Sequence, residues 1–69
     1  MSQSVSAMCI APAGQWRVVE TDGFHGPVRK VVGDFDDSLM ARGAMERCER
    51  PFARVIYNDR GVQVMSFTP

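Results

Sequence analysis

The side chains that could carry out chemistry in this chain are few and scattered. His25 is the only histidine, and Cys9 and Cys48 are the only cysteines. A catalytic base needs a defined partner, and no Ser or Cys lies near His25 at an informative spacing. Structural zinc sites draw on closely spaced ligand pairs, which these residues do not form. The sequence therefore predicts a protein that is not an enzyme and holds no metal or cofactor.

An acidic cluster precedes the best helix candidate. Asp34, Asp36 and Asp37 suggest a hard-cation site at first sight, but the other oxygen ligands at fixed spacing are missing. Helix capping explains them more simply, with Asp36 as the N-cap. Phe35 and Met40 would then form the hydrophobic staple that fixes the chain's entry into the helix.

Basic and aromatic side chains suggest a second kind of chemistry. Arg17, Arg29 and Lys30 could contact nucleic acid from a strand face, with Trp16 or Phe67 as stacking platforms. A solvated strand face is the simpler interpretation. The formal net charge of zero also counts against a protein that wraps phosphates. A loop tip at Phe24 and His25 could serve recognition as well.

One helix and four strands would position these residues. The helix is expected over residues 39–50, after a start signal at 33–38, and Pro51 stops it. Strands are predicted at 15–21, 28–32, 52–57 and 62–67, with a further short strand at 8–11. Residues 58–61 join the last two strands through a type I turn that ends in a left-handed glycine. The buried helix stripe is predicted to contain Met40, Ala41, Ala44, Met45 and Cys48.

This order predicts an α+β fold. A small antiparallel sheet of four to five strands carries the helix across one face (ββαββ). Residues 1–7 form a flexible tail, and residues 8–69 form a single domain. The N-terminus has no signal-peptide pattern, and no apolar run is long enough to span a bilayer. We therefore expect a cytoplasmic protein with reduced thiols, although a Cys9–Cys48 bridge stays open.

The C-terminal hairpin predicts an imbalance between the two faces of the sheet. If Tyr57 opposes Val62, then Val55 opposes Val64, and this set of small or β-branched residues suits the surface under the helix. The alternate set of side chains points to the other face and is also largely apolar: Phe52, Arg54 and Ile56 opposite Phe67, Met65 and Gln63. Exposure of this set would create a patch larger than monomers usually tolerate. Either a partner covers that face, or the N-terminal segment 5–11 does, or a bulge shifts the register of the strands.

Part of the chain resembles a DNA-binding family. Trp16-x-Val18, Gly33-x-Phe35-Asp36, and Ala41 with Ala44 in the helix are similar to the strand–strand–helix core of plant AP2-type and phage-integrase arm-binding domains. The resemblance implies strands in the major groove, with Arg17 and Arg29 at the contacting positions. The neutral charge and the hairpin at 52–67 depart from that family.

The whole architecture resembles the small strand–strand–helix–strand–strand proteins of bacteria and their phages, some of which are anti-CRISPR inhibitors. It implies a non-enzymatic binding protein that acts through a protein–protein interface, either as a homodimer or as an inhibitor of a host defence complex. A sheet-based nucleic-acid-binding module is the alternative. Neither a membrane nor a small-molecule substrate is expected. The predicted partner-binding residues are Trp16, Phe24, Arg54, Ile56, Met65 and Phe67.

Overall fold

The computed structural model of this chain describes residues 7–23 and 26–69 and contains four strands and one α-helix. The sheet is antiparallel throughout, in the order β2-β1-β3-β4, so β2 and β4 are its edges. The predicted α+β fold, with a helix packed against a four-stranded sheet, is confirmed. The elements are β1 (Trp16–Thr21), β2 (Val28–Phe35), α1 (Ser38–Glu46), β3 (Ala53–Tyr57) and β4 (Gln63–Phe67).

The N-cap of the helix lies one residue later than predicted. Asp37, rather than Asp36, is the N-cap, and its carboxylate accepts a hydrogen bond from the backbone N of Leu39 at 2.8 Å. The fourth helical position then belongs to Ala41, which is buried, whereas Met40 is 61% exposed. The predicted staple between Phe35 and Met40 is therefore wrong.

The helix also ends four residues before the predicted end, because a side chain from β3 takes one of its carbonyls. In a continued helix, Ala44 O would accept from Cys48 N. Instead it accepts from Arg54 Nη1 at 2.7 Å, and Cys48 N donates to Met45 O at 3.3 Å. Arg54 thus satisfies a carbonyl at the helix C-terminus, where a cation also suits the helix dipole.

The helix packs on the sheet face that was expected to be open. Ala41, Ala44 and Met45 of α1 form a buried cluster with Val18 of β1 and Ile56 of β3. The prediction that the Val55 face lies under the helix is wrong. Small residues on α1 leave room for large ones on the sheet, so the close-packed arrangement places small against large.

The second face, defined as the sheet face opposite α1, is also buried at its centre. Val19 and Ala53 are 0% exposed and Val55 is 5% exposed. The predicted strand at 8–11 is absent, and Ala7–Cys9 form a short 3₁₀ turn. Ala11 N then donates to Asn58 O at 3.1 Å, which ties this segment to the sheet. Cover from the N-terminal segment, one of the alternatives that the sequence left open, is therefore supported for residues 7–11.

The last hairpin has a register two residues away from the predicted one. Asn58 N donates to Val62 O at 3.0 Å, and Gly61 has the expected positive φ of 75°, so the turn closes one residue later than assumed. A bulge between Ile56 and Tyr57 adds the second residue. Ile56 therefore faces Met65. The total shift of the register is two residues. Because side chains alternate between the two faces of a strand, a shift by an even number leaves each residue on its predicted face.

Candidate functional site

The structure separates the predicted partner-binding residues by exposure. Ile56 is 3% exposed under the helix, while Trp16 and Phe67 are half-buried beside the same cluster. Met65, opposite Ile56 in the register, is 40% exposed. Ile56 is therefore a core residue, and Met65 is the member of this set best placed to touch a partner.

The residues considered for catalysis or metal binding do not come together in the described ranges. Cys9 and Cys48 are both buried and free, so the Cys9–Cys48 bridge is not formed. Within residues 7–23 and 26–69, no group of three or more His, Cys, Asp or Glu is placed to hold a metal. Phe24 and His25 lie outside the described residues. Likewise, none of the helices described is long and apolar enough to cross a membrane.

The first candidate surface is the edge strand β4 with the residue before it, which we call the docking edge (residues 62–67). Val62 is 54% exposed, Val64 47% and Met65 40%, and no residue of the edge carries a charge. Val64 also lines a cleft of about 330 Å³ together with Trp16. An uncharged apolar edge with unpaired backbone groups is a template for adding another strand.

The opposite edge strand has a different character. β2 carries Arg29, Lys30 and Asp34, and its pairing with β1 is interrupted twice, between Val18 and Val19 and again near its start. Charged side chains and bulges are the usual means by which proteins prevent an edge strand from pairing with another chain. The docking edge has one bulge and no charge, so it is the less protected of the two.

The second candidate surface is a cleft of about 250 Å³ where the sheet meets the end of α1, which we call the basic cleft. Five of the eight basic residues of the chain line it, and only two of the eight acidic ones, giving a local formal charge of +3 in a chain of net charge zero. The remaining residues therefore sum to −3. The lining consists of Glu20, Arg29, Lys30, Arg47, Glu49, Arg50, Phe52 and Arg54.

A buried carboxylate organises the floor of the basic cleft. Glu20 is 4% exposed, and it accepts hydrogen bonds from Arg29 and from Arg54 Nε, the latter at 3.0 Å. Burial would raise the pKa of the Glu20 carboxyl, but the bonds from Arg54 and Arg29 outweigh burial and hold the pKa below its ordinary value. Glu20 is thus an ionised anchor for two guanidinium groups.

The rim of the basic cleft holds cations that form no ion pair within the described residues. Arg29 lies over the Phe52 ring, 4.1 Å from its centre, and is fixed between that ring and Glu20. Lys30, Arg47 and Arg50 are exposed, and within the described ranges their side chains make no hydrogen bond or ion pair. The cleft therefore has a floor that is held by fixed contacts, and three rim cations that are available to a ligand.

The three predicted nucleic-acid contacts do not share one surface. Arg17 forms a two-bonded pair with Asp34, at 2.7 and 2.9 Å, and the Arg17 hydrogen bond lowers the pKa of that carboxyl. Arg29 and Lys30 instead line the basic cleft. Sequence reasoning missed Arg47 and Arg50, which also line the cleft, because no motif in the chain marks them.

Comparison of the chain with protein-family models, with curated proteins and with solved structures finds no match.

Proposed function

We propose that this protein is a small non-enzymatic binding protein that acts through a protein–protein interface, and that the docking edge is that interface. The observation that supports this proposal is the contrast in charge between the two edge strands. Residues 62–67 form an uncharged edge whose side chains Val62, Val64 and Met65 are 40–54% exposed. A partner strand would satisfy the open backbone groups of β4 and cover these side chains together.

The partner that fits this edge is a second copy of the chain. Two β4 strands that pair antiparallel are related by a two-fold axis, which gives a closed dimer with the same residues on both sides. Because β4 has no charged residue, two copies bring no like charges together. Two β2 strands would instead have to pair along an edge that carries charged residues and two irregularities.

The size of the chain supports self-association for a physical reason. A domain of about 60 residues buries only about 60% of the surface that its unfolded chain exposes, and its stability is correspondingly marginal. Small domains therefore often rely on oligomerisation. The homodimer was one form of the sequence hypothesis. Inhibition of a larger host complex, the other form, stays a prediction.

The test is the mass in solution of the wild-type chain and two matched variants. One chain has a mass of 7.7 kDa. We expect light scattering to give twice this mass at about 100 µM and a fall towards one chain on dilution. Val64→Lys should weaken dimerisation at least tenfold, because a lysine on an edge strand opposes pairing. Val31→Lys, on the other edge at 37% exposure, should leave the mass unchanged.

Two results would contradict the proposal. If the measured mass corresponds to one chain at every concentration up to about 1 mM, the chain does not form the proposed dimer. A dimer that survives Val64→Lys but dissociates in Val31→Lys would move the interface to β2. Far-ultraviolet circular dichroism of both variants shows whether a change in mass comes from the interface or from unfolding.

A further inference from the structure

We propose that the basic cleft is a binding site for a phosphate dianion, either inorganic phosphate or the phosphate group of a small monoester. This site is distinct from the docking edge, because none of the residues that line the cleft belongs to residues 62–67.

The concentration of charge is the first argument. Arg17 and Arg42, both outside the cleft, are each paired with a carboxylate, at 2.7 and 3.1 Å. In the cleft, by contrast, Glu20 serves two arginines, which leaves more positive than negative groups. A cluster of cations that repel one another is costly without a counter-anion, so the arrangement favours an anionic ligand.

The fixed floor is the second argument. Arg54 is held at three points, since it bonds Glu20 through Nε and Nη2 and Ala44 O through Nη1. Arg29 is held between Glu20 and the Phe52 ring. These contacts fix the walls of the cleft before a ligand enters, which lowers the entropy cost of binding. The exposed rim cations, Arg47 and Arg50, can then contact the ligand.

The number and type of the free cations set the ligand class. Lys30, Arg47 and Arg50 together supply three positive charges, and a phosphate monoester carries about −1.5 to −2 at pH 7. Guanidinium forks match phosphate oxygens in bidentate geometry. The concave volume of about 250 Å³ suits a terminal phosphate group. A nucleic-acid backbone would need cations in a longer groove, so a phosphodiester is the less favoured ligand.

The experiment is a titration of the 69-residue chain at constant ionic strength, in which NMR measures the backbone amide chemical shifts. The probes are inorganic phosphate, O-phosphoserine, acetate and a short single-stranded oligonucleotide. We expect saturable shifts around residues 29–30 and 47–54 with both phosphate probes. Affinity for acetate and for the oligonucleotide should be at least fivefold weaker at equal charge concentration.

The variants test the rim directly. Arg47→Gln and Arg50→Gln should each weaken phosphate binding about tenfold, because each removes a charge-assisted hydrogen bond. Arg60→Gln, an exposed arginine outside the cleft, is the matched control and should bind like the wild type. These three side chains make no hydrogen bond or ion pair in the described ranges, so the fold should survive each change.

Three outcomes would overturn the proposal. The first is an absence of saturable shifts with either phosphate probe. The second is an equal loss of affinity in the control Arg60→Gln, which would indicate non-specific charge attraction. In the third, the oligonucleotide binds more tightly than the phosphate monoesters and loses affinity in Arg47→Gln. That would reassign the cleft to a nucleic-acid backbone.

Discussion

The two edge strands of this sheet differ in charge and in how regularly they pair. β2 carries three charged residues and two irregularities in its pairing, while β4 carries no charge and one bulge. The charged edge resists the addition of a strand, and its Arg29 and Lys30 contribute to the basic cleft. The apolar edge is open to a strand from another chain. A net charge of zero can therefore conceal two surfaces of different chemistry.

The largest effect is expected from a pair of aspartate substitutions on one face of the sheet. Ile56 and Met65 are register partners, but Ile56 is 3% exposed and Met65 40%. Ile56→Asp should destabilise the fold by about 4 kcal/mol or more, because it places an unpaired charge in the core. For a chain of this length that is comparable to the whole stability, about 3–10 kcal/mol. Met65→Asp should keep the fold and lose only the dimer.

Urea unfolding, together with solution mass, distinguishes these results. If Ile56→Asp folded normally and only dissociated, Ile56 would belong to the interface, as the sequence first suggested. If Met65→Asp unfolded as well, the docking edge would be needed for the fold of the monomer. This result would contradict the assignment of the docking edge as a surface for a partner.

The next largest effect is expected at the floor of the basic cleft. Glu20→Ala should cost about 3 kcal/mol, because it leaves Arg54, with only 15% of its side chain exposed, without its counter-charge. Glu46→Ala, in the exposed pair with Arg42, should cost no more than about 0.5 kcal/mol. Chemical denaturation measures both. Equal costs in the two variants would show that Glu20 is not an organising residue.

A smaller effect is expected from pH. The folded-state pKa values of Glu20 and Asp34 both lie below their ordinary values of 4.5 and 3.8. The unfolded chain therefore binds protons first as pH falls. The stability from these groups is fully present at pH 7, begins to decline near pH 5 and is lost once both folded-state carboxylates are protonated.

The measurement is urea unfolding at pH 7, 5 and 3, with Asp34→Asn as the comparison. This variant should lose about 0.5–1 kcal/mol at pH 7, because the Arg17–Asp34 pair is partly exposed. Its stability should then fall less steeply below pH 5 than that of the wild type. A wild type that gained stability on acidification would contradict the sign of both shifts.

Local patterns allowed the sequence to predict the elements, but the boundaries depended on distant residues. The turn at Asn58 and Gly61 was predictable because its signals lie within four residues. The end of α1 was not, because the side chain that takes the Ala44 carbonyl is Arg54, ten positions away on β3. The hairpin register failed for a related reason, since the bulge beside Ile56 has no sequence signal of its own.

The candidate sites show the same division. Met65 was predicted as a contact and is exposed, but the grouping of Arg47 and Arg50 with Lys30 was missed. The loop that follows α1 and the start of β2 are far apart in sequence, and they meet only because the helix returns along the sheet. No pattern of charge along the chain shows that these two segments lie close together in space.

By itself, the sequence determined the order of strands and helix, the position of the last turn and the helical stripe around Ala41 and Ala44, because these follow from side-chain periodicity and turn chemistry among neighbours. The tertiary structure alone decided which sheet face the helix covers, where the helix ends and how the charges separate. Both sheet faces are apolar, so their patterns are equivalent in one dimension. Only the fit of small helix residues over large strand residues, and the competition of Arg54 for a helix carbonyl, resolves them.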